Sequence, residues 1–238
     1  MIEQHDLIHK ANWDTLIILD AARYDIFKKC NAFKGKLIKV HSSASHTYSW
    51  LMRTFPGWYP WIYFSAHMWV GDKIRQHKPW NAVQHFEKVI PIWEDNFNEK
   101  LGTVHPNAVG NAVKEYFENN VMEKCIVHYI QPHGPWIGSP GWHVPWTKAL
   151  HEKFGVMADY IAQEKKPDTK FFKKIYKANL KLALKSIAKY SQYFPGKVVI
   201  TSDHGEMLGE KGLYLHKENF PKWADDFLRV VPWFIVER

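Results

Sequence analysis

The sequence predicts an α/β fold with a mostly parallel central sheet and helices on both faces. Short runs of Val, Ile and Leu recur without polar alternation, as in strands covered on both sides. Segments of helical apolar spacing lie between them, and polar clusters stand directly after several runs. With 238 residues, 46% apolar and 24% charged, the chain can build a core, which excludes disordered and collagen-like classes. No repeat or Gly/Ser linker marks a boundary, so one domain over 1–238 is expected.

The first strand, 15–19, is Thr-Leu-Ile-Ile-Leu and runs into Asp20. The second, 37–40, runs into His41, Ser42, Ser43, Ser45, His46 and Thr47. A helix over 106–120 follows from the spacing of Val109, Val113, Tyr116 and Phe117. The strand at 125–130 carries His128 and leaves through Gln131, Pro132 and His133; the Pro, Gly and Trp content of 132–146 then predicts a long irregular loop. A helix over 172–194 places Phe172, Ile175, Ala183, Ile187 and Tyr190 on one face, with Lys173, Lys174, Lys177, Lys181 and Lys185 as a solvated face. The strand at 197–200 passes Thr201 and Ser202 into Asp203, His204, Gly205 and Glu206, and the strand at 229–236 closes the series. All five runs read as parallel strands joined by right-handed crossovers.

In open α/β sheets ligands sit beyond the carboxyl ends of the strands. Taken singly, the polar groups there have plain readings: Asp20 suits a helix N-cap, the Ser/Thr cluster a turn, and His128 a hydrogen-bonded core position. Asp203 and His204 are different, because adjacent carboxylate and imidazole on a tight Gly turn are ligands suited to Zn²⁺ or Mn²⁺. Four strand ends would gather carboxylates, imidazoles and hydroxyls around one point. Arg23 and Asp25 are placed to orient Asp20 or to pair at the surface. Asn179, with Tyr176 a turn earlier, fits a buried amide that braces the loops or the core.

Residues 198–210, Val-Val-Ile-Thr-Ser-Asp-His-Gly-Glu-Met-Leu-Gly-Glu, followed by His216, resemble the late metal-binding motif of sulfatase-like hydrolases of the alkaline phosphatase superfamily. The stretch Asp20-Ala21-Ala22-Arg23-Tyr24-Asp25 is similar to the segment where that family keeps its first metal-binding Asp. The segment Gln131-Pro132-His133-Gly134-Pro135-Trp136 is similar to its Pro-His-x-Pro-aromatic segment. The resemblance implies an alkaline phosphatase-like sheet and a divalent metal (Zn, Mn or Mg) on Asp20, Thr47, Asp203 and His204. It implies Thr47 as nucleophile through a covalent intermediate, with Ser43 and Ser45 as alternates. His133 and His216 would then contact nonbridging oxygens or protonate the leaving group, or complete a second metal site with His128. Family sulfatases make formylglycine from Cys or Ser in a Cys-x-Pro/Ala-x-Arg context. Neither Cys30 nor Cys125 has that context, which favours phosphoric over sulfuric esters.

The formal charge of +8 favours anionic partners: small molecules, lipid headgroups or glycans. The twelve tryptophans read mainly as core and loop packing, or as an aromatic rim or peripheral membrane contact. A non-catalytic module binding headgroups or glycans is the competing class. No pattern supports specific nucleic-acid binding. Nothing fixes the oligomeric state. Two cysteines and the absence of an apolar leader pattern or membrane-length run point to the cytoplasm.

Overall fold

The computed structural model describes residues 1–74, 78–138 and 169–237. Its centre is an eight-stranded sheet of β1 (Ile2–Glu3), β2 (Thr15–Leu19), β3 (Gly35–His41), β4 (Tyr59–Ser65), β5 (Phe86–Pro91), β6 (Cys125–Tyr129), β7 (Val198–Thr201) and β8 (Val230–Val236). The spatial order is β1-β3-β8-β7-β2-β6-β4-β5. Among the described residues the α-helices are α1 (Gln4–Lys10), α2 (Tyr24–Cys30), α3 (Thr47–Thr54), α4 (Ile92–Asn96), α5 (Pro106–Asn119), α6 (Thr169–Lys189) and α7 (Asp225–Leu228).

Alternate residues of β2 explain why its sequence is apolar throughout. Ile17 and Leu19 pack with α2, α5 and α6 on one face, while Leu16 and Ile18 pack with α1 and α3 on the other. The same division runs along the neighbours, with Phe64 and Val127 on the first face and Tyr63 and Ile126 on the second. Burying side chains such as Leu16 or Ile17 stabilises the fold by about 1.5–3 kcal/mol each.

Sheet neighbours are parallel except at β8, which runs antiparallel to both β3 and β7. This corrects the expectation of five parallel strands. A run buried on both faces carries no sign of direction, and the β7–β8 connection holds the paired two-residue strands Met207–Leu208 and Tyr214–Leu215, short 3₁₀ turns and the four-residue α7, but no long helix. A parallel return usually runs through a helix laid across the sheet. The β4 and β5 strands lie in a stretch where aromatic residues and Pro60 conceal the pattern, and sequence reading places no strand there. The helix expected over 172–194 is α6, ending at Lys189 and followed by a 3₁₀ turn at Ser191–Tyr193.

The tryptophans divide as expected for packing residues. Trp13, Trp50 and Trp233 are buried, whereas Trp58 is 57% exposed. Trp142 and Trp146, and most of the predicted irregular loop, lie outside the described residues. No described helix is long and apolar enough to cross a membrane.

Candidate metal centre

The carboxyl ends of β2, β3, β4, β6 and β7 come together at one edge of the sheet. After β2 the chain turns sharply at Ala21, whose φ of 60° is in the left-handed region. This turn points the Ala21 N–H at Asp203 Oδ1, 3.0 Å away. From α6, the Tyr176 hydroxyl donates to the Ala21 carbonyl at 2.6 Å and accepts the Arg23 N–H at 2.9 Å. Ser202 joins the turns after β2 and β7: its Oγ accepts the Ala22 N–H at 2.7 Å and donates to the Leu19 carbonyl at 2.5 Å. Gly205 is required by close approach, since a Cβ there would fall 2.0 Å from the Phe227 carbonyl oxygen.

Thr47 is the first residue of α3. The helix is tied to β7 through Gln4, whose Oε1 accepts the Trp50 indole N–H at 2.8 Å. Its Nε2 donates to Thr201 Oγ1 at 2.8 Å and to the Ser202 carbonyl at 2.6 Å. Thr47 Oγ1 then lies 3.1 Å from His204 Nε2. Ser43 Oγ instead pairs with Thr54 Oγ1 at 3.0 Å, and Ser42 Oγ donates to the Asp203 carbonyl. Of the hydroxyls proposed from sequence, Thr47 is the one shown in contact with the Asp/His cluster.

Asp20, Asp203 and His204 are fully buried, and their ligand atoms lie within 4.8 Å of one another. Asp20 is not a helix cap; Arg23 holds the N-cap position of α2. Neither Asp20 oxygen forms a hydrogen bond, and Asp203 Oδ2 has none either. Buried carboxylate oxygens left this way cost several kcal/mol unless something pairs with them. Burial pushes Asp20 well above the ordinary carboxylate range, and the charges of Asp203 and Glu206 add to that. Burial would raise Asp203 too, but His204, His128, the Ala21 N–H and the Thr47 hydroxyl outweigh it and hold Asp203 below the usual range.

His204 Nδ1 lies 2.8 Å from the Gly205 carbonyl and must donate to it, so in the neutral ring Nε2 is bare. That nitrogen faces Asp203 Oδ2 at 3.3 Å and Asp20 Oδ1 at 3.6 Å. Burial keeps the imidazole neutral, well below its ordinary pKa. Two carboxylates and one neutral imidazole, all desolvated and turned toward each other, fit a divalent cation such as Zn²⁺ or Mn²⁺.

His133, Glu206 and His216 form a second group of converging ligand atoms. His216 Nδ1 lies 3.0 Å from Glu206 Oε1, and its ring centroid is 4.1 Å from that of His204 and 5.1 Å from that of His133. Burial raises the Glu206 carboxyl to about 8, with Asp203 adding and His133 opposing. In this second group Glu206 takes the place that sequence reading gave to His128, which is fully buried and shares a hydrogen bond between its Nδ1 and the Tyr63 hydroxyl at 2.9 Å.

Arg23 does not orient Asp20. Its guanidinium pairs with Asp25 at 2.8 Å and Glu210 at 2.9 Å and donates to the Glu206 carbonyl at 3.2 Å, clipping the loop after β7. Asn179 braces the loop after β6, accepting the Ile137 N–H at 3.0 Å and donating to its carbonyl at 3.2 Å. His67, beyond β4, places Nε2 3.3 Å from Asp20 Oδ2. Sequence reading missed it because the strand leading to it was not recognised.

No family model matches the chain, and no curated protein matches it in sequence. Solved structures do. The soluble domain of lipooligosaccharide phosphoethanolamine transferase A from Neisseria meningitidis is 17% identical at a TM-score of 0.56, over 92% of this chain and 75% of that one. The C-terminal periplasmic domain of EcEptC from Escherichia coli, in complex with Zn, is 14% identical at 0.51, over 95% and 74%. A protein in the alkaline phosphatase superfamily from Vibrio parahaemolyticus is 7% identical at 0.52, over 94% and 59%. At these identities the likeness is one of architecture: the chain has the fold of the alkaline phosphatase superfamily, as found in its sulfatase-like and phosphoethanolamine transferase domains.

Proposed function

We propose that the chain is a metal-dependent enzyme acting on phosphoric esters, as hydrolase or phosphotransferase, with Thr47 as its nucleophile. The observation that carries this reading is the Thr47 hydroxyl at 3.1 Å from His204 Nε2, beside buried carboxylate oxygens that have no hydrogen bond. A divalent cation (Zn, Mn or Mg) held by Asp20, Asp203, His204 and Thr47 Oγ1 would acidify the hydroxyl and draw charge from the phosphoryl oxygens.

Thr47 Oγ1, having released its proton to solvent, attacks phosphorus at the N-terminus of α3, where the helix dipole favours an anion. The new Oγ1–P bond forms as the ester O–P bond breaks in line, and His216, held at Nδ1 by Glu206, supplies a proton to the departing oxygen. Water or an acceptor alcohol then attacks the phosphothreonine in line, giving its proton back to His216 as the Oγ1–P bond breaks and Thr47 Oγ1 leaves as the oxyanion it began as. His133 stands beside His216 to contact nonbridging oxygens. The name of the Neisseria enzyme supports headgroup transfer to a lipid as the transferase form. An unmodified threonine favours phosphorus esters over sulfate esters, because threonyl sulfate lacks the elimination route of an aldehyde hydrate.

The test is metal analysis of purified protein together with turnover of aryl phosphate mono- and diesters and aryl sulfates. Asp203→Asn combined with His204→Ala is expected to bring metal content to background and remove phosphate-ester turnover. Full metal occupancy in that double variant, or aryl sulfate turnover above every phosphate ester in the metal-replete protein, would overturn the proposal.

A further inference from the structure

Two imidazoles face the Asp20 carboxylate, one toward each oxygen. His204 Nε2 is 3.6 Å from Oδ1, and His67 Nε2 is 3.3 Å from Oδ2. Their surroundings give them opposite tautomers. His204 donates from Nδ1 to the Gly205 carbonyl, which leaves Nε2 bare. His67 Nδ1 accepts the backbone N–H of Trp69 at 3.1 Å, so in the neutral ring the proton must be on Nε2. A protonated ring nitrogen can donate to a carboxylate, but it has no lone pair for a metal.

The His67 ring is held on several sides. Ser65 Oγ accepts the His67 N–H at 3.0 Å and donates to its carbonyl at 2.9 Å. One face stacks on His128, with centroids 5.4 Å apart and planes 21° from parallel. His128 is itself fixed by the Tyr63 hydroxyl at 2.9 Å. The residue is 7% exposed. A side chain locked to this degree gives a carboxylate a fixed direction rather than a mobile contact.

We propose that His67 is a positioning residue: it donates Nε2–H to Asp20 Oδ2, reserves Oδ1 for a divalent cation, and is not itself a ligand. The proposal rests on the metal-site reading above. At 3.3 Å the contact lacks the alignment of a full hydrogen bond, and such contacts commonly tighten when the ligand binds. Partners behind a metal ligand typically govern affinity by roughly 10- to 100-fold.

The experiment titrates Zn²⁺ and Mn²⁺ into wild type, His67→Ala and His67→Gln, and records long-range ¹⁵N–¹H spectra of the wild-type imidazoles. His67→Ala is expected to lose roughly 10- to 100-fold in metal affinity. His67→Gln, whose amide can donate to Oδ2, should recover most of it, and the wild-type spectrum should show His67 protonated on Nε2. Unchanged affinity in His67→Ala overturns the proposal. Loss of metal to background in both variants also overturns it, since that would make His67 a ligand. If wild type takes up neither ion, the metal reading fails by itself, and the spectrum still decides this one: a bare Nε2 on His67 contradicts it. The same spectrum, with His67→Gln, decides if His67→Ala does not fold.

Discussion

Asp20 combines two buried oxygens that lack hydrogen bonds with the nearby charges of Asp203 and Glu206. In metal-free protein, Asp20 therefore destabilises the fold it belongs to. Asp20→Asn removes the charge and keeps the shape, so it is expected to raise metal-free stability by about 1–3 kcal/mol, read as a higher urea midpoint, while lowering metal uptake to background. A lower midpoint would mean that the carboxylate is already compensated within the chain. Thr47 shows the same dependence on immediate neighbours. Three candidate hydroxyls within five residues cannot be separated by sequence, because their spacing says nothing of which side of the turn each occupies. The Thr54 hydroxyl that takes up Ser43 and the His204 nitrogen that meets Thr47 become visible only when α3 is folded against β7.

The elements that bear Asp20, Thr47, Asp203 and His204 are distant in sequence, and buried polar clamps set their relative positions. Gln4 is the clearest example: one amide bridges α3 and the end of β7, spending both its donor and its acceptor. Gln4→Leu would bury the Trp50 indole N–H and the Ser202 carbonyl without partners, at a cost of about 1–3 kcal/mol for each group. Urea denaturation of the variant measures this, and a change below half a kilocalorie would show that the clamp is replaceable. Such a residue leaves no trace in sequence patterns, since a Gln in an N-terminal amphipathic segment reads as surface. The strands β2 and β7, which lead into Asp20 and into Asp203 and His204, were legible because Val, Ile and Leu dominate them. β4 was hidden by its aromatics and Pro60, and with it His67. The direction of β8 was hidden as well, because burial on both faces gives the same residue pattern in either orientation.

Across the whole molecule, the parallel strands end at one edge of the sheet, and that geometry turns dispersed polar residues into a site. β8 runs the other way, so its beginning rather than its end reaches this edge. There the Arg229 guanidinium donates to the Ser42 carbonyl at 2.9 Å and the Ser42 N–H returns to the Arg229 carbonyl at 2.7 Å, fixing the segment before Thr47. The fold class and the Asp20, Asp203 and His204 cluster were readable from strand ends and from one specific motif. The role of Glu206 against His216 was not, because it depends on a loop that folds back onto the site. The net charge of +8 suits an anionic substrate but is shared by too many functions to select one. Covalent phosphoryl transfer through Thr47 is tested by peptide mass spectrometry of metal-loaded protein quenched in acid during turnover of an aryl phosphate. A phosphoryl group is expected on Thr47 and absent in Thr47→Ala; phosphate on Ser43 or Ser45, or undiminished turnover in Thr47→Ala, would rule out Thr47 as the nucleophile.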